Sequence, residues 1–165
     1  MSEPPALPAP VADPGPAGAP SAVTEAGSQV APSAPGICLR PGREGDLPLV
    51  YHSWLHTLRE ASPWDVLSRT VYFRGQHAVI ENILARAGLV VAALEDDPDQ
   101  ILGYAVAEPG VLHWVYVKSL FRRYGVARAL LAELDLPSPV VYTHKTKWCA
   151  RLFKNGVYDP FKAWL

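Results

Sequence analysis

The sequence predicts an α/β fold in which a mixed central β-sheet is flanked by helices on both faces. Three observations predict it. Apolar runs at Leu89–Leu94 and Ile101–Ala107 are separated by a short polar turn, the pattern of an antiparallel hairpin. A third run, Val111–Val117, leads through a helix at Gly125–Leu134 to another strand at Val140–Tyr142, which implies a right-handed parallel crossover. Two helical patterns precede the hairpin and supply material for a second helical layer.

The elements follow in order. Residues 36–40 read as a short strand closed by Pro41 and Gly42. Asp46 reads as an N-cap, with Pro48 in the first helical turn. Val50, Trp54, Leu55 and Leu58 then recur at helical spacing, and Ala61, Ser62 and Pro63 end that helix. Residues 64–76 read as a loop or a short helical piece. His77–Ala87 places Val79, Ile80, Ile83 and Leu84 on one helical face, and Gly88 stops it. Glu95 to Gln100 form the hairpin turn, and Glu108, Pro109 and Gly110 form the next. Val111–Val117 is almost wholly apolar or aromatic, so it is expected to be central and buried on both faces. Ser119–Arg123 is a polar loop. Pro137 and Pro139 break the helix after it. Lys147–Lys154 reads as a short helix, and Asn155-Gly156 turns the chain into Val157 and Tyr158.

Domain organisation follows from composition. Residues 1–35 hold 9 of the 17 prolines and no Lys, Arg or aromatic residue. Such a segment buries too little apolar surface to offset its ordering entropy, so it is expected to be a disordered, semi-stiff tail. Residues 36–165 form the expected single domain. Of 165 residues, 49% are apolar and the net charge is −1. That supplies a core and argues against a surface built wholly to hold polyanions. Cys38 and Cys149 are too few for a disulfide scaffold and fit a reduced, cytoplasmic protein. No apolar run reaches about 20 residues, so no membrane span is expected. The first ten residues have neither the basic nor the apolar region of a secretory signal. His52 and His56 lie one helical turn apart but lack a third metal ligand, so no metal site is expected.

The chemistry is concentrated between Val111 and Leu131. A buried strand enters a short basic loop with Gly125 and Ala127 at the start of a helix. Helix N-termini carry unpaired N–H groups and the positive end of the dipole, and small residues let an anion approach them. Arg122, Arg123 and Arg128 add charge suited to a pyrophosphate. No Gly-Lys-Ser/Thr or Gly-x-Gly-x-x-Gly pattern is present, which argues against a Walker loop or a Rossmann fingerprint.

Arg122-Arg123-Tyr124-Gly125-Val126-Ala127 resembles the acyl-CoA loop of the GCN5-related N-acetyltransferases (the GNAT superfamily), which reads Arg/Gln-x-x-Gly-x-Gly/Ala. The order of elements over about residues 36–160 fits that family too. The resemblance implies an acyl-CoA N-acyltransferase fold and acetyl-CoA as acyl donor. Residues Arg122, Arg123, Tyr124, Gly125, Val126, Ala127 and Arg128 would cradle its pyrophosphate. The edge at Val115 and Val117 would pair with its pantetheine arm. The acetyl group would pass to an amine by direct attack. That needs a group to take the amine proton, donors to polarise the carbonyl and a proton for the thiolate.

Glu108 and His113 are candidate bases, though each also reads as an ordinary turn or core residue. Many relatives carry a tyrosine in the last helix, where this chain has Phe153. Tyr158, Tyr142 and Cys149 are candidate substitutes as proton donor. His144 to Lys147 are expected to line the acceptor side or to form an ordinary basic loop. A non-catalytic acyl-CoA-binding or protein-interaction module is the alternative reading. Nucleic-acid binding through Arg122, Arg123, Arg128, Lys145 and Lys147 ranks last, because no nucleic-acid motif is present. The acceptor, a small molecule or a protein amine, is open, and so is a homodimer.

Overall fold

The computed structural model describes residues 36–61, 63–146 and 148–165. The Pro/Ala-rich segment 1–35, Ser62 of the expected helix stop and Lys147 of the basic loop lie outside the described residues.

Six strands form one sheet in sequence order: β1 (Ile37–Pro41), β2 (Gly88–Leu94), β3 (Ile101–Glu108), β4 (Val111–Val117), β5 (Val141–Tyr142) and β6 (Val157–Tyr158). Pairing is antiparallel from β1 to β4 and parallel from β4 to β6. Helices α1 (Leu47–Ala61) and α2 (Arg69–Leu84) lie between β1 and β2 in the chain. Helix α3 (Val126–Glu133) joins β4 to β5, and α4 (Cys149–Leu152) joins β5 to β6. The mixed sheet with helices on both faces is therefore the observed architecture.

Packing shows why the pattern folds this way. On one face, Val50, Trp54 and Leu58 of α1 and Val79, Ile80 and Ile83 of α2 meet Val91, Tyr104, Val106 and Trp114 of the sheet. On the other, Val126 and Leu130 of α3 meet Ala92, Leu102 and Ala105. Each large side chain buried this way contributes ~1.5–3 kcal/mol. The small residues of β2 and β3 let α3 sit close to the sheet. Gly103 serves the same end between strands, since a Cβ there would meet the Tyr116 carbonyl of β4.

Four expectations need correction. First, α2 begins at Arg69, eight residues before the expected His77, because Ser68 caps it by accepting from the Val71 N–H at 3.4 Å. Its buried stripe, Tyr72, Gln76, Val79, Ile80 and Ile83, includes a polar residue that an apolar pattern overlooks. Second, Asp46 does not cap α1. It ends a 3₁₀ turn (Glu44–Asp46), and its carboxylate accepts from the Arg43 N–H at 2.7 Å and from Arg40 at 2.7 and 3.0 Å. Third, β3 is the strand buried over most of its length, whereas β4 is only half-buried from Val115 to Val117. Its partner β5 is too short to cover it. Fourth, the last helix is the single turn α4, since Phe153 leaves helical geometry at φ −128°.

Candidate functional site

The site lies where β4 parts from β5. The two strands pair only at Val111 with Val141 and Leu112 with Tyr142. β4 then continues to Val117 without that neighbour. A cleft of about 900 Å³ opens there, lined by Trp114 to Val117 of β4, by Tyr142, His144 and Cys149 beyond it, and by the loop into α3.

Most residues of the expected donor site come together in this one cleft. Val115, Val117, Arg122, Arg123, Gly125, Val126, Ala127 and Arg128 all line it. Tyr124 is not among the lining residues and is 40% exposed. Gly125 takes φ +84°, a left-handed geometry that suits glycine, and leaves the first turn of α3 without a side-chain cap. The N–H groups of that turn are thus available to an anion. The Arg122 Nε–H donates to the Val117 carbonyl at 3.3 Å and ties the loop to the strand end. Arg123 stands at φ 73°, uncommon for a residue with a side chain.

A second arrangement adjoins the cleft. The register of β3 and β4 shifts at His113: Trp114 opposes Val106, while Leu112 opposes Ala107. His113 is the extra residue of this β-bulge, a device that re-aims a side chain. Its Nε2 lies 2.7 Å from Glu108 Oε1 at the end of β3. The same oxygen accepts from Arg86 Nε at 2.7 Å. His113 Nδ1 lies 3.1 Å from Thr143 Oγ1, which lies 2.8 Å from His144 Nδ1. His144 meets the rings of Trp54 and Trp114 edge-on at 5.2 and 5.9 Å.

The electrostatics follow from burial and partners. Burial alone pushes the Glu108 carboxyl up, but hydrogen bonds from Arg86 and His113 outweigh it and hold it below its ordinary value. Burial pushes His113 down, further than Glu108 pulls it up. His144 is pushed down to about 4 by burial and by His113, against a smaller pull from the His113 carbonyl. Both imidazoles are neutral at pH 7, and Glu108 is ionised.

The candidate catalytic residues are therefore placed unequally. His113 lines the cleft, whereas Glu108 reaches it only through His113. Tyr158 lies on the outermost strand, 45% exposed, and does not line the cleft. Phe153 and Tyr142 stack at 5.6 Å and both line it. Cys149 is buried there, its Sγ receiving the Thr146 N–H at 3.2 Å. His144, expected either to line the acceptor side or to sit in an ordinary basic loop, lines the cleft. Its one local signal was Thr143 beside it. Among the described residues no group of three or more His, Cys, Asp or Glu side chains is placed to hold a metal ion. No described helix is long and apolar enough to cross a membrane.

Comparison with protein-family models finds no match, and comparison with curated proteins finds none. Among solved structures the chain is similar to a GCN5-related N-acetyltransferase from Rhodopseudomonas palustris, at 17% identity and TM-score 0.44 over 61% of this chain and 64% of that one. It is also similar to a ribosomal-protein-alanine N-acetyltransferase from Brucella melitensis, at 27% identity and TM-score 0.42 over 58% of this chain and 63% of that one. A third is a GNAT family acetyltransferase from Elizabethkingia anophelis with acetyl-CoA bound, at 20% identity and TM-score 0.35 over 59% and 54%. The chain thus spans less than two thirds of each.

Proposed function

We propose that the chain is an acetyl-CoA-dependent N-acetyltransferase that passes the acetyl group to an amine by direct attack. The observation that carries this reading is the convergence of two features on one cleft. The strand edge at Val115–Val117 and the arginine-bearing start of α3 both face it. An extended, amide-bearing arm ending in a pyrophosphate suits that pairing. Strand-like hydrogen bonds would hold the arm, and N–H groups with Arg122, Arg123 and Arg128 would hold the phosphates. Among the described lining residues there is no carboxylate, and aromatic rings dominate the far end. An amine that is not a polycation fits such a wall.

A second reading, a binding module without turnover, is favoured by Phe153, which stands where many relatives carry a tyrosine and cannot give a proton to the departing thiolate. Calorimetric titration of the full chain with acetyl-CoA tests both readings at their common point. Assay of thiol release with a panel of primary amines then separates them. Binding with thiol release supports the transferase. Binding without release supports the module, and no binding by the folded chain overturns both.

A further inference from the structure

We infer that His144 is the base of this site, oriented through Thr143 by His113 and Glu108. The inference rests on the acetyl-transfer reading and adds a residue to it. Its support is the direction in which four consecutive hydrogen bonds must run. Arg86 Nε donates to Glu108 Oε1 at 2.7 Å, so Glu108 is held as an acceptor-only carboxylate. His113 Nε2, at 2.7 Å from the same oxygen, must then carry the proton. In a neutral ring this leaves Nδ1 bare, an acceptor. Thr143 Oγ1, 3.1 Å away, has one proton and gives it to that nitrogen. Its lone pairs are then free to accept, and His144 Nδ1 at 2.8 Å must be the N–H that donates. The remaining nitrogen of His144, Nε2, carries a lone pair.

Along the four bonds from Arg86 to His144, one proton arrangement satisfies every donor and acceptor. Glu108, His113 and Thr143 are positioning residues: they set the tautomer of a ring that lines the cleft. The titratable and charged groups facing His144 along this series are His113 directly and Glu108 and Arg86 behind it. Trp54 and Trp114 enclose its ring without supplying charge.

In the reaction, the amine nitrogen bonds to the acetyl carbonyl carbon and the carbon–sulfur bond breaks. The electron pair leaves with sulfur as thiolate. The amine proton passes to His144 Nε2 and from there to the thiolate, directly or through a water. The products are the amide and the free thiol, and the ring returns to its starting tautomer.

The test is ¹⁵N imidazole NMR on the full chain labelled at histidine, with His113→Gln and His144→Gln assigning the signals. The expected result at pH 7 is a neutral His144 with its proton on Nδ1 and a neutral His113 with its proton on Nε2. Thr143→Val should shift His144 toward a mixture of tautomers, an effect that loss of packing alone does not direct to one ring nitrogen. A His144 ring protonated on Nε2, or a tautomer indifferent to Thr143→Val, overturns the inference. Titration of the same sample with acetyl-CoA is read separately. Failure to bind overturns the acetyl-transfer reading whichever tautomer is found.

Discussion

His113 Nε2 and Arg86 Nε both lie 2.7 Å from a single oxygen, Oε1 of Glu108. The carboxylate closes the end of β3 and points back at the bulge in β4, so one charge fixes two side chains from different elements. Arg86 also donates through Nη2 to the Lys162 carbonyl at 3.0 Å, which brings the final 3₁₀ turn (Pro160–Ala163) into the same set of bonds.

Glu108→Gln is expected to destabilise the fold by about 1–3 kcal/mol, because it leaves a half-buried guanidinium without its counter-charge. Urea unfolding at pH 7 measures this. Both hydrogen bonds meet one oxygen, and an amide oxygen placed there can still accept both, so Glu108→Ala should cost more than Glu108→Gln. Equal costs for the two would show that the loss is one of charge alone, with nothing contributed by packing or by the retained acceptor.

Stability should also fall as pH drops below the ordinary histidine range. His113 and His144 both titrate lower in the fold than in the unfolded chain, His144 at about 4 against 6.5. Between those two values the unfolded chain binds more protons, so unfolding free energy rises with pH across that window. Urea midpoints at about pH 5 and about pH 7 check the sign, the lower midpoint being expected at the lower pH. His144→Gln should flatten the difference. An undiminished slope in that variant would assign it to other groups.

These residues mark the limit of what the sequence could show. The hairpin, the crossover and the loop into α3 were legible because each depends on local pattern: apolar runs, a polar turn, a glycine before a helix. The start of α2 was not, since Gln76 interrupts its apolar stripe and Gly75 and the run Val71-Tyr72-Phe73 read against a helix. That Arg122, Arg123 and Gly125 to Arg128 sit together was legible for the same local reason, and all of them line the cleft. The series from Glu108 to His144 was not. It joins residues whose contact depends on one extra residue in β4 and on a pairing with β5 only two residues long. The position of Tyr158 was not legible either: nothing local says that the last strand forms the sheet's outer edge.

Gly103→Ala should destabilise the sheet by about 1–3 kcal/mol, the usual cost of forcing volume into a packed position. The new Cβ would meet the Tyr116 carbonyl and the Val117 backbone, and the strand it would push is the one that lines the cleft. Thermal unfolding measures the cost. The same variant should bind acetyl-CoA more weakly, because the edge at Val115–Val117 moves with the clash. Retained affinity in a destabilised variant would show that this edge does not hold the ligand.

Arg123 allows binding and stability to be separated. Its φ of 73° lies in the left-handed region, which costs an ordinary L-residue roughly 1–2 kcal/mol, whereas asparagine tolerates it better. The side chain is exposed, and it lines the cleft beside the start of α3. Arg123→Asn is therefore expected to hold or raise the unfolding midpoint while weakening acetyl-CoA binding. Loss of one charge-assisted contact to phosphate is worth about 1.5–3 kcal/mol, or roughly 10- to 150-fold in affinity. The loss should shrink as salt rises, since an exposed charge is screened. Calorimetry at low and high salt, beside thermal unfolding, reads both quantities. A variant that is more stable and binds equally well would mean that the strained arginine does not meet the phosphates. A variant that is more stable and binds less well would show that the left-handed turn is kept for the charge it presents.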